Sequence, residues 1–193
     1  MTPLLSMLAG AKAFGMTVFR SLVGGPKGGY DALATIKVPS AGATEVVFSN
    51  IPSGYKHLQI RLIARQTSFG SSIDNCVMQC NGVTSGIYSS HFMRGNGSTA
   101  TATGYANLTN WSMAFWAPQS GSGSLGAAII DILDYASTTK TKTFRGFSGA
   151  DISGSGELTL ASGLFNSTDP ITSIRLFGAT FNGNTEFALY GVR

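Results

Sequence analysis

Between Tyr55 and Arg65 the sequence reads YKHLQIRLIAR, and no other stretch constrains the fold as tightly. Leu58, Ile60, Leu62 and Ala64 alternate with a polar set made of His57, Gln59, Arg61 and Arg65. Period-two alternation is the pattern of a strand with one buried face. Ile63 is the one apolar residue that falls among the polar positions. A single strand cannot offset the entropy lost on its own ordering, so a second sheet or a helix must cover the apolar side. The rest of the chain has to supply that cover.

It supplies mostly strands. Runs rich in β-branched and aromatic residues fall at 31–38, 44–49, 73–80, 86–93, 107–117, 125–133, 143–149, 157–164, 171–177 and 185–192, separated by Gly, Pro, Asn and Ser. With the long strand they make about eleven, at the roughly 8 to 12 residue spacing of a sandwich or barrel. Asn81-Gly82 marks a hairpin. Residues 125–133 are continuously apolar and predict a central strand buried on both faces. Residues 98–103, 121–124 and 134–142 are polar and read as loops. No helical crossover of the length a parallel sheet requires follows residue 30, so the pairing is expected to be antiparallel. The expected fold is all-β, an antiparallel, jelly-roll-like β-sandwich with an N-terminal helical arm.

That arm comes from a different pattern. Leu4, Met7, Ala11, Phe14 and Val18 recur at heptad-like spacing, flanked by Leu8 and Leu22, and Thr2-Pro3 makes a helix start. The spacing predicts a helix over residues 3–22, followed by the flexible break Gly24-Gly25-Pro26-Lys27-Gly28-Gly29. Two units result: a helical assembly arm with its Gly-rich tether over 1–29, and the sandwich over 30–193. An amphipathic helix on such a tether is expected to dock on neighbouring subunits. A trimer is favoured, because short apolar helices around a threefold would bury the stripe.

Composition narrows the function. The chain of 193 residues is 43% hydrophobic but only 11% charged, well under the usual quarter, so part of the surface is expected to be covered by something else. The net charge of +4 comes from 13 scattered bases without a basic run, which argues against nucleic-acid binding. Gly10, Lys12 and Gly15 interrupt the only apolar run near the N-terminus, so no membrane insertion is expected. Ala11-Lys12-Ala13 has a small-x-small form, but no positive charge precedes it, and it is read as structural rather than as a cleavage site.

Residue types that carry chemistry are sparse. Cys76 and Cys80, four apart on one strand, would lie on one face about 13 Å apart, beyond disulfide reach, and are expected to be free buried thiols. His57 and His91 are too few for a metal site and are read as polar-face histidines. Asp131 and Asp134 are a candidate carboxylate pair, but a spacing of three puts them on opposite faces of a strand. Asp134 is expected to accept backbone hydrogens in the loop that follows. Tyr105, Trp111 and Trp116 are candidates for stacking on a sugar, with core or interface packing as the alternative. Gln59, Arg61 and Arg65 form the polar row of the long strand, read as an interface or solvated face. No catalytic motif is present, and no enzymatic activity or cofactor is expected.

Several strings taken together carry a resemblance. YKHLQIRLIAR after SNIPSGY, then AAIIDILDYASTTKTKTFR, SGLFNSTDPITSIRLF and the closing EFALYGV resemble tailed-bacteriophage virion proteins, from about Tyr30 to Arg193 and in the same order. The resemblance implies a non-enzymatic structural β-sandwich without cofactor, assembled in the host cytoplasm into a virion. It implies a homo-oligomer in contact with other virion proteins, as a tail-fibre or baseplate component or as a capsid decoration protein stabilising the head. A carbohydrate-binding module for host attachment is the other expectation.

Overall fold

The computed structural model describes residues 16–17, 28–67, 73–118 and 123–193, with the backbone alone at 16–17, 113 and 116. In chain order the strands are β1 (Met16–Thr17), β2 (Tyr30–Lys37), β3 (Ala43–Phe48), β4 (His57–Ala64), β5 (Ile73–Cys80), β6 (Tyr88–Gly95) and β7 (Ala100–Leu108). They continue with β8 (Trp111–Pro118), β9 (Gly126–Leu133), β10 (Lys142–Asp151), β11 (Gly156–Phe165), β12 (Ile174–Phe181) and β13 (Glu186–Val192). They form a nine-stranded sheet, ordered β1-β2-β13-β4-β9-β10-β11-β6-β7, and a four-stranded sheet, ordered β3-β12-β5-β8. Every strand pairing is antiparallel, as the absence of helical crossovers predicts. The protein is therefore an all-β sandwich of two unequal sheets.

The alternating stretch occupies the middle of the larger sheet. Leu58, Ile60, Leu62 and Ala64 of β4 are buried between β13 and β9. What covers them is the smaller sheet, whose strand β8 packs across β9, β10, β11 and β6. Trp111 opens β8 and sits at the centre of the core, its indole 5.2 Å from the Phe144 ring. It fits because two strand positions beneath it lack a Cβ. One added at Gly163 would lie 2.3 Å from the indole nitrogen, and one at Gly146 would lie 3.1 Å from the ring edge. Phe115, Phe181 and Phe187 form a second aromatic group with centroids 5.2 to 6.2 Å apart.

Buried polar groups tie the two layers. The Tyr88 hydroxyl on β6 accepts the backbone N–H of Cys80 at 2.9 Å and donates to the carbonyl of Cys80. Ser90 on β6 donates to the carbonyl of Ser112 at 2.8 Å, and the indole N–H of Trp111 donates to the carbonyl of Ser162 at 3.3 Å. Each group finds its partner on the facing sheet, so these bonds fix how the layers slide against one another.

Four expectations are corrected. No helix occurs among the described residues; of the expected 3–22 helix only Met16 and Thr17 fall among them, and these two form β1 against β2. Thr17, Val18 and Phe19 are β-prone, and the open edge of β2 supplies backbone partners. The arm positions Leu4, Met7, Leu8, Ala11, Phe14, Val18 and Leu22 lie outside the described residues. The polar run over 98–103 is mostly strand, the start of β7. Asn81 and Gly82 do form a tight turn, both with positive φ and with Val83 donating to the Cys80 carbonyl at 3.0 Å. The next strand, β6, however, belongs to the other sheet. Finally, β9 is buried on one face only, with Ala127 and Ile129 exposed on the other.

Candidate interaction face

The register of the larger sheet places residues in rows across its outer face, the side away from the smaller sheet. One row runs Tyr190, Gln59, Asp131, Arg145, Ser162, His91 and Gly104. Two residues along each strand, the next row runs Ala188, Arg61, Ile129, Phe147, Leu160, Met93 and Ala102. The third runs Glu186, Ile63, Ala127, Gly149, Leu158, Gly95 and Ala100. From β4 across to β7 the second and third rows carry no charged side chain beyond Arg61. Instead, Phe147 is 51% exposed, Leu160 55% and Met93 58%, with Ile63, Ile129 and Leu158 similarly open. Six large apolar side chains thus form one band on a solvent-facing sheet.

The first row is polar and internally bonded. Gln59 donates to the Asp131 carboxylate at 2.8 Å, and Arg61 Nε donates to the Gln59 carbonyl at 2.7 Å. The Arg145 guanidinium lies 3.4 Å from the other Asp131 oxygen. Arg61 is held between two rings, its guanidinium 5.0 Å from the centroid of Tyr30 and 4.9 Å from that of Tyr190. Further along the row the His91 imidazole packs against Gly104, where an added Cβ would fall 2.5 Å from the ring. This packing leaves a shallow groove between His91, Met93, Ala102 and Leu160.

The structure splits the predicted polar row. Gln59 and Arg61 share the outer face, but Arg65 lies past the end of β4. Its backbone bonds to Thr185 and Asn182, and its Nε is buried without a hydrogen-bond partner among the described residues. Asp131 and Arg145, from neighbouring strands, complete the row. The two carboxylates are not brought together. Asp131 belongs to this row, whereas Asp134 sits in the turn after β9 with φ 50°. There Lys140 donates to its carboxylate at 2.8 Å, and that contact holds the acid below the usual carboxylate range. It is the Asp134 carbonyl, not its side chain, that accepts a backbone hydrogen, from Ser137.

His57 and His91 lie four positions apart in the sheet order. The Nδ1 of His57 accepts the backbone N–H of Asp134 at 2.9 Å, with the Asp134 carboxylate 3.8 Å away, so the ring acts as a clasp on the turn. Cys76 and Cys80 are free and buried, as the spacing predicts.

Of the sugar-stacking candidates, Trp111 is withdrawn: it has no exposed surface, because the larger sheet closes over it. Tyr105 is exposed on β7, with its ring 6.2 Å from that of Phe92, and the side chain of Trp116 lies outside the described residues.

Two features escape the sequence. The apolar band does so because an exposed Ile129 or Leu160 reads like a strand buried on both faces; the low charge content was the only hint. Lys142 is fully buried, and its ammonium donates to the carbonyls of Ser137, Lys140 and Ser167 at 2.7, 2.8 and 3.3 Å. Burial pulls its pKa below the ordinary lysine value. Nothing in Lys-Thr-Lys-Thr singles it out.

No family model, curated protein or solved structure matches the chain.

Proposed function

We propose that the chain is a non-enzymatic structural subunit of a tailed-phage virion, a jelly-roll-like sandwich that assembles with other virion proteins. The single observation that carries an assembly role is the band of Ile63, Ile129, Phe147, Leu158, Leu160 and Met93 on an open sheet face. A contiguous apolar patch of this kind marks a surface that is buried in use. The particle itself enters through the likeness of YKHLQIRLIAR and the later strings to virion proteins. A tail-fibre or baseplate position is preferred, and a capsid decoration protein is the reading next to it.

In this reading the residues ahead of β1 anchor the subunit to a neighbour, while β1 itself stays on the edge of its own sheet. A density map of intact particles tests the proposal, with this chain expected at a tail or head-surface position. Its absence from purified particles would overturn the virion reading. A chain lacking residues 2–15 is expected to lose occupancy on particles, and full occupancy would sink the anchor.

A further inference from the structure

The larger sheet has nine strands against four in the smaller one, and among the described residues nothing packs on its outer face, where Phe147, Leu160 and Met93 stay more than half exposed. Strands β4, β9, β10, β11, β6 and β7 make that face about 29 Å wide by about 27 Å long, on the order of 800 Å². This is the area each partner gives to a standard stable interface. Its pattern is that of an interface centre with a rim. Phe147 and Leu160 are register neighbours in the middle, with Ile129 and Met93 beside them. Ala127, Gly149, Gly95 and Ala102 keep the ground between them low, so that another flat sheet face can approach.

The rim selects the occupant. On one side stands the row of Gln59, Asp131, Arg145 and His91, and toward the edge the Lys37–Glu186 pair, 3.3 Å apart. Both signs are present in near balance. A membrane surface would call for a cationic rim, and a strongly charged partner for a rim of one sign. A surface with both signs around an apolar centre is complementary to its own image. We propose that a second copy of this chain docks on the outer face of β4, β9, β10, β11, β6 and β7, with Phe147 and Leu160 at the centre of the contact. This assignment rests on the reading of the chain as an assembly subunit, and it names the partner.

Sedimentation of the full chain at micromolar concentration tests it. The wild-type chain is expected to run as a multiple of its mass, and the Phe147→Asp, Leu160→Asp double variant as a monomer, with association weakened at least about 100-fold. Both positions are half exposed, so the strand circular dichroism should not change. Should that variant fail to fold, Met93→Lys on β6 carries the same test. A monomeric wild-type chain, or a folded variant of unchanged mass, overturns the assignment. A chain lacking residues 2–15 is expected to keep the wild-type mass. If it becomes monomeric while the double variant does not, the N-terminal segment holds the copies together and the face does not. A wild-type chain that is present in particles yet monomeric in solution would overturn the assignment and leave the virion reading standing.

Discussion

At the scale of single residues, burial sets the chemistry of Lys142, the two thiols and two of the phenols. Lys142 is kept in the interior by three backbone carbonyls that accept its ammonium hydrogens. Lys142→Met preserves the length of the side chain and strips those carbonyls of their ammonium. It is expected to destabilise the fold by about 3 kcal/mol, read from the urea midpoint at unchanged slope. Burial raises the pKa of the Cys76 and Cys80 thiols and of the Tyr88 and Tyr135 phenols. A raised pKa means that the folded state holds its proton longer than the unfolded one. The stability these groups contribute is complete below the unfolded values, about 8.5 for a thiol and about 10 for a phenol, and is lost as pH rises beyond them. Lys142, lowered by burial, acts in the opposite sense, one group against four. The melting temperature is therefore expected to fall as pH is raised from 8 toward 10.5, and more shallowly in Cys80→Ala. A flat profile in the wild-type chain would contradict this.

Among the elements, the turn at Asn81-Gly82 has the widest reach. The Asn81 side-chain carbonyl accepts the N–H groups of Thr172 at 2.9 Å and Ser173 at 3.2 Å, and its amide donates to the Pro170 carbonyl at 2.8 Å. One residue thereby joins the end of β5 to the start of β12 at the point where the chain leaves the smaller sheet for the larger. Asn81→Ala removes these bonds and puts a Cβ-bearing residue without a polar side chain at φ 54°. A loss of about 2 kcal/mol is expected by urea denaturation. Asn81→Gly, which relieves only the backbone term, should recover a minor part of it. The misreadings at the hairpin and at β9 share one cause. Periodicity reports that a strand exists, and it located β4 and β5 nearly to the residue. It does not report what lies opposite, so β9 reads as doubly buried although only its inner face is covered.

For the molecule as a whole, the salient property is a wide sheet whose inner face is covered by the smaller sheet and whose outer face, among the described residues, is open and apolar. Association through an apolar centre should respond to salt unlike association through ion pairs. Raising sodium chloride severalfold is expected to leave the sedimenting mass unchanged, and added sulfate to strengthen it. Dissociation by salt would point instead to Arg145, Asp131 and their row.

How much of this was legible can be judged from particular residues. The strand class, the antiparallel pairing and the free thiols at Cys76 and Cys80 followed from alternation, turn chemistry and spacing, which are local and written along the chain. The burial of Trp111, the separation of Arg65 from Gln59 and Arg61, and the outward band through Phe147 and Leu160 were settled only in three dimensions. These depend on which strands pair, in what register, and which side the smaller sheet covers. Such contacts join residues far apart in sequence, and no local pattern encodes them.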